Sequence, residues 1–329
     1  MNVFVIGFYA LVIGASTLAA YYQKRTAFLL LFSLTLVSFV MGIVGGEAML
    51  WSVTILAGLI AFSAGVSYSF REFLIILLPE DFAKEMRTAP LTAGFGLFVI
   101  FTYAIAGIFA PIIAPYGEAE VISSAFAPAD ENMLLGADQL GRDMFSRIIY
   151  GARNTVGLAL LATILAFLMG ATAGLYAATK GGKLDQLLGR IVDVIMSIPS
   201  RIFSLLLLSI FGTNTVTLII VIAIIYAPRV FRLARSVGGN VVVMDYIEAA
   251  KLRGEGTWYL IRKEILPNST APLIAEFGLE FCFVFLLVAG LSFLGLGIQP
   301  PTADWGSMVR ENATLISFGE ITPLIPAGA

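Results

Sequence analysis

Apolar runs of about 20 residues, each long enough to cross the hydrocarbon core of a bilayer as a helix, recur along this chain from one end to the other. The composition agrees. The chain is 59% hydrophobic and 13% charged, against about 25% charged in a soluble domain, and its mean hydropathy is +0.93. The sequence therefore reads as an all-α, polytopic membrane protein. A net charge of -2 offers no basic surface to neutralise phosphates, so nucleic acid is excluded as a partner. There is no histidine, the commonest general base and transition-metal ligand. Cys282 is the single cysteine, so no disulfide and no thiolate metal site is expected within the chain, and it reads as a small buried hydrophobe.

The expected spans are Val3–Tyr22, Thr26–Val44, Leu50–Phe70, Thr92–Ile113, Asn154–Ala178, Ile191–Phe211, Thr215–Leu233 and Pro272–Phe293. The first has no positive stretch before it and no clear cleavage site, so it reads as a span, not a removed signal. Positive residues favour the cytoplasm. Lys24, Arg25, Arg71, Lys84 and Arg87 then lie inside, with Lys180, Lys183 and Arg190, and the N-terminus lies outside. Arg229, Arg232 and Arg235 mark the cytoplasmic end of the seventh span. Arg142, Arg147 and Arg153 fall on the outer side against this tendency, and Asp138 and Asp143 stand near enough in sequence to pair with them. Residues 1–72 form three spans and residues 73–90 an interfacial linker. Residues 91–329 form the main domain, with an outer loop at 116–153 and a cytoplasmic loop at 240–267. The apolar run from Leu315 to Ala329 is shorter than a span, so the last helix is expected to be incomplete.

The longest charged interruption in the second half runs from Asp245 to Pro267. Asp245 and Glu248 have capping-box spacing, with Asp245 as the N-cap. Ala249 and Ala250 lack bulk, so their face can approach another surface closely. Gly254 and Gly256 are expected to break the helix. A second short amphipathic helix is expected over Thr257–Leu266, stopped by Pro267. Two short helices at an angle would make a knob projecting from the membrane.

Glu248-Ala249-Ala250, followed by Gly254 and then Leu266-Pro267, resembles the EAA loop of ABC importer permeases. The usual isoleucine two places before Leu-Pro is Glu264 here, with Ile265 beside it. Leu135–Asp143, with Ser146-Arg147 and Tyr150–Arg153, resembles the dipeptide, oligopeptide and nickel branch of that superfamily, C-type subunit. So does Leu291–Thr302 with Asp304-Trp305-Gly306, and Asp193 and Pro199 fit the same pattern. The likeness covers about Leu91 to Ala329. It implies a type I ABC importer permease core with three extra N-terminal transmembrane helices, in the cell inner membrane. It implies ATPase docking through Asp245, Glu248, Ala249, Ala250, Gly254, Leu266 and Pro267. The implied partners are a second homologous permease subunit, two ATP-binding subunits and an extracytoplasmic substrate-binding protein, besides membrane lipid. The chain has no Gly-x-x-x-x-Gly-Lys-Ser/Thr loop, so ATP and magnesium are expected on the partner ATPase, and the chain is expected to be non-catalytic.

Other residues are candidates for function. Glu276 and Glu280 lie one helical turn apart on one face, and carboxylates at membrane depth face a cavity or a partner. With Asp193 they are candidates for lining the pathway. The alternative for Glu280 is a pair with an arginine. Asn214, Arg201 and Arg229 read as interfacial. Asp138, Arg142, Asp143 and Trp305 are candidates for docking the binding protein. Two competing classes use the same carboxylates: a membrane-embedded enzyme with Asp193 and Glu276 or Glu280 as an acid/base pair, and a proton-coupled secondary transporter.

Overall fold

A computed structural model describes residues 48–313 and 325–328, together with Gly14, Leu18, Phe28, Leu29 and Ser33. The expected spans Val3–Tyr22 and Thr26–Val44, and the run beginning at Leu315, lie largely outside the described residues. Every element named below is a helix. They are α1 (Ala48–Leu77), α2 (Glu80–Thr88), α3 (Leu91–Ile113), α4 (Met144–Lys180), α5 (Gly182–Ser197), α6 (Ser200–Phe211), α7 (Thr215–Val242), α8 (Asp245–Leu252), α9 (Thr257–Phe293) and α10 (Trp305–Asn312). Among the described residues α3, α4, α7 and α9 are each long and apolar enough to cross a membrane.

The chain divides into two compact units, Met1–Thr102 and Tyr103–Ala329. In the first, α1 continues past Arg71 to Leu77, and the charged α2 buries Ala83 and Met86. Phe70 of α1 packs against Phe98 and Phe101 of α3.

The second unit is built around α4 and α7. Gly170 and Gly174 are one turn apart on α4. A Cβ at Gly170 would meet the Ala227 carbonyl and, at 2.7 Å, Val230 Cβ; one at Gly174 would meet the Phe231 carbonyl at 2.6 Å. Helix association in lipid rests on such close packing, because tails and side chains are equally apolar. The Ala- and Gly-rich run of α4 is thus the surface that lets α7 in. Ala159, Ala162, Ile222, Ala223, Val284 and Val288 complete the core among α4, α7 and α9.

Three sequence expectations change. Ile191–Phe211 is not one straight span: α5 and α6 meet at an angle of 89°. Pro199 forces Ile198 into an extended conformation (φ -92°, ψ 127°), which ends α5 and starts α6 in a new direction. Pro267 does not stop a helix. A π-helical turn over Leu260–Ile265 loosens the ladder just ahead of the proline, and the Asn268 side chain donates to the Glu264 carbonyl at 2.6 Å, so α9 runs unbroken to Phe293. Cys282 is exposed, not buried. An apolar side chain on a membrane helix has no need to turn inward, since lipid or a neighbouring protein suits it equally.

Candidate functional site

The loop joining α7 to α9 is fixed from behind and open in front. Ile247 and Ala250, both 0% exposed, lie one turn apart on α8 and pack with Val241, Leu260, Ile261 and Ile265. Tyr246, Glu248, Ala249 and Leu252 point away from the protein, and Leu252 is 85% exposed. Of the two small residues, Ala250 serves the internal contact, and Ala249 alone belongs to the outer face. Trp258 stacks on Tyr176 of α4 with ring centroids 5.5 Å apart, tying the loop to the central helix pair.

The helix ends decide the angle of this knob. Asp245 is not the N-cap: Met244 holds that place without a side-chain bond, because α8 begins one residue earlier than the capping-box spacing predicts. Asp245 and Glu248 instead both sit in the first turn, where carboxylates oppose the positive end of the helix dipole. At the other end Gly254 adopts φ +86°. Its N–H donates to the Lys251 carbonyl at 2.9 Å, and the Glu255 N–H donates to the Ala250 carbonyl at 3.2 Å. This is the Schellman arrangement, which needs a left-handed residue at that place. Leu266 is exposed and Pro267 begins the straight part of α9, so the Leu-Pro pair closes the loop at the π turn.

On the other side of the spans the loop 116–153 and the segment 302–312 form one buried polar cluster. Asp138 accepts from the Arg142 Nε at 2.7 Å and from the Leu140 and Arg142 backbone N–H groups at 2.8 and 3.0 Å. Arg147 Nε lies 3.3 Å from the same carboxylate, and Glu311 lies 3.0 Å from Arg142. Among the described residues Asp143 pairs with no arginine. It caps α4, accepting from the Ser146 N–H at 2.8 Å and hydroxyl at 2.6 Å. Trp305 donates its ring N–H to the Ile148 carbonyl at 3.0 Å. Asp138, Arg142, Asp143 and Trp305 are all buried. Anything docking here meets the surface they shape, which exposes Val121, Leu134 and Leu140, and not those side chains themselves. A cavity of about 610 Å³ lies beside them, lined by Arg153, Asn154, Asn214, Gln299 and Thr302 among others.

The helix carboxylates are held apart by different arginines. Asp193 of α5 pairs with Arg232 at 2.5 Å, and Asp185 pairs with Arg235. Glu280, buried on α9, lies 3.8 Å from Arg229. Glu276 is half-buried one turn away. Arg229 lies near the middle of α7, which runs on past the apolar run to Val242. Asn214 does mark a helix end, accepting from the Thr217 N–H at 2.8 Å as the N-cap of α7.

Several apolar spans, a small-residue core and a capped helical knob between two of the spans define a multi-pass membrane permease subunit. Comparison with known proteins places it further. The family described as binding-protein-dependent transport system inner membrane component matches residues 170–327. The di/tripeptide transport system permease protein of Pseudomonas aeruginosa is 34% identical over 223 residues, 66% of this chain and 74% of that protein. The dipeptide transport system permease protein of Alkalihalophilus pseudofirmus is 35% identical over 233 residues, 70% of this chain and 76% of the relative. The glutathione transport system permease protein of Pectobacterium atrosepticum is 33% identical over 238 residues, covering 70% and 77%. The chain belongs to the family of binding-protein-dependent transport system inner membrane components, the permease subunits of ABC importers.

Proposed function

We propose that this chain forms half of the translocation pathway of an ATP-driven importer of short peptides and couples it to a separate ATPase through residues 240–267. The observation that carries the reading is the two-sidedness of α8. Ile247 and Ala250 bind it to α7 and the π turn of α9, while Ala249 and Leu252 present a small, apolar outer face. A surface so anchored passes a push on its outer face to the spans behind it. The partners are a second, homologous permease subunit, two ATP-binding subunits on the cytoplasmic side and an extracytoplasmic binding protein. The loop 240–267 then lies in the cytoplasm, and the cluster around Asp138 and Trp305 faces the binding protein. ATP-driven closure of the ATPase pair favours one arrangement of the spans over another, a population shift set by differential affinity. The peptide substrate follows from the relatives, whose names record dipeptides, tripeptides and glutathione.

The test is co-expression with candidate ATPase subunits and reconstitution in vesicles. Leu252→Asp should insert normally, lose the co-purifying ATPase and abolish ATP-driven peptide uptake. Retention of the ATPase and of full uptake in that variant would remove the basis of the reading.

A further inference from the structure

Three arginines follow one another down α7 at intervals of three residues, and they are not equivalent. Arg235 binds the Asp185 carboxylate through both Nε and a terminal nitrogen. Arg232 donates to Asp193 at 2.5 Å. Each of these two has a carboxylate within hydrogen-bond distance. Arg229 instead lies 3.8 Å from Glu280, beyond hydrogen-bond distance, and among the described residues it donates no hydrogen bond. Its side chain is 39% exposed, whereas that of Glu280 is 4% exposed.

The guanidinium is nonetheless well placed. It lies over the rings of Tyr226 and Phe283, 5.1 and 5.5 Å from their centroids. The Tyr226 hydroxyl donates to the Phe283 carbonyl at 3.1 Å, which fixes one ring against the other helix. Cation–π contact holds a guanidinium through its face and leaves its edge N–H groups available. Glu280 supplies a compensating charge from behind, with its own Oε2 buried and without a hydrogen-bond partner. A partly exposed guanidinium in the middle of a helix long enough to cross a membrane is costly in lipid and belongs against water, a water-filled cavity or another protein. A cation held by aromatic faces and a loose counter-ion, with its planar fork free, is suited to a carboxylate, which it can bind through two parallel hydrogen bonds.

We infer that Arg229, positioned by Tyr226, Phe283 and Glu280, is a contact point within the pathway for a free carboxylate on the transported solute. The inference rests on the import reading and adds a chemical requirement to it. A solute with a free C-terminal carboxylate exchanges with Glu280 at the guanidinium as it passes; the corresponding amide has no such exchange to make.

The complete transporter, with its partner subunits, tests this in proteoliposomes loaded for ATP-driven uptake. The probes are dialanine and dialanine amide. Arg229→Gln should lower dialanine uptake about tenfold, the scale of one charge-assisted contact, and leave amide uptake at its wild-type level. Arg229→Lys should recover part of the loss. Arg229→Gln leaves Glu280 buried without its counter-ion, so the double variant Arg229→Gln/Glu280→Gln is run beside it and should show the same solute dependence. A second readout does not depend on uptake. Cys282→Ser removes the chain's only cysteine. In that background, with Arg229 intact, a reporter thiol placed one turn from Glu280 by Glu276→Cys should react with an impermeant anionic thiosulfonate, more slowly in the presence of dialanine and at an unchanged rate with the amide, and adding Arg229→Gln should abolish the protection. Equal losses for the two solutes, or a thiol that does not react, overturn the inference. A thiol protected by dialanine in a complex that shows no ATP-driven uptake would uphold the contact and overturn the import reading alone.

Discussion

Thr155 donates its hydroxyl hydrogen to Asp304 Oδ1 at 2.8 Å, joining the π turn of α4 to the start of α10 across 149 positions of sequence. The same hydroxyl oxygen accepts from the Trp305 N–H at 3.2 Å, and Asp304 caps α10 by accepting from the Ser307 N–H at 2.9 Å. The π turn, over Ala152–Val156, is what brings Thr155 to this place. Irregular helical turns of that kind often mark places where a side chain is aimed for a purpose.

Thr155→Val keeps the shape and removes both hydrogen bonds. A buried carboxylate oxygen and a buried N–H are then left without their partner, a loss of about 1–3 kcal/mol each at most. The purified transporter should melt at a lower temperature, with the loss confined to the end of the spans that carries the Asp138 cluster. Amide exchange at Trp305 and the first turn of α10 should rise while α8 stays protected. Unchanged exchange at Trp305 would show that the bond carries no weight.

Close approach of α4 and α7 gives a second expectation. Gly170→Val puts side-chain atoms where the Ala227 carbonyl and Val230 already are. The clash is with backbone, which cannot swing away, so overpacking of about 1–3 kcal/mol or more is expected. Gly157→Val on the same helix meets nothing within 4 Å and serves as the control. Thermal unfolding in detergent should separate the two; similar melting temperatures would refute the packing assignment.

Gly254 offers a cleaner case, because its surroundings are empty and only its backbone is special. At φ +86°, with nothing within 4 Å of an added Cβ, any penalty comes from conformation and not from space. Gly254→Val should cost about 1–2 kcal/mol locally and loosen the turn after α8. Gly254→Asn should be milder, since asparagine tolerates the left-handed region. Insertion should be intact in both, with ATPase co-purification weakened in the order valine, then asparagine. An equal effect of the two would point to lost contact instead of backbone strain.

Much of this was legible in the sequence because membrane helices and small-residue packing leave strong local marks. The Ala- and Gly-rich run of α4, the left-handed Gly254 and the polar loop between α7 and α9 all follow from single segments. Pro199 and Pro267 show where local rules fall short. Both remove an N–H, but one ends a helix and the other is absorbed by a π turn, and the difference depends on what packs around each. The Asp138 cluster had one readable pair, Arg142, four residues away. Glu311 joins it only after α9 has returned the chain to the same end of the spans, and it is this convergence that buries Asp138 and Trp305, the candidates for docking. Arg229 was placed at a span end because the apolar run stops near Leu233. The helix itself continues to Val242 through Arg235, Ser236, Gly238, Gly239 and Asn240, so the arginine lies near the middle of α7 although it is close to the end of the apolar run.

On the proposed coupling role, Trp258 should separate docking from transmission. It is 57% exposed, yet its ring stacks on Tyr176, near the end of α4. The outer face of α8, with Ala249 and Leu252, lies on a different element and does not need that stack to keep its shape, since Ile247, Ala250 and the Gly254 turn hold it. Trp258→Ala removes an aromatic pair worth about 0.5–1.5 kcal/mol beyond its buried area and cuts one of the links from the loop to the α4–α7 core. The ATPase should therefore still co-purify with this variant. ATP hydrolysis should continue, and peptide uptake per ATP should fall several-fold. Tyr176→Phe, which keeps the ring, should behave as wild type, and Tyr176→Ala should match Trp258→Ala. Loss of ATPase binding in Trp258→Ala would put the tryptophan on the docking face itself, and unchanged uptake per ATP would mean that the helix pair feels the ATPase through Ile247 and Ala250 alone.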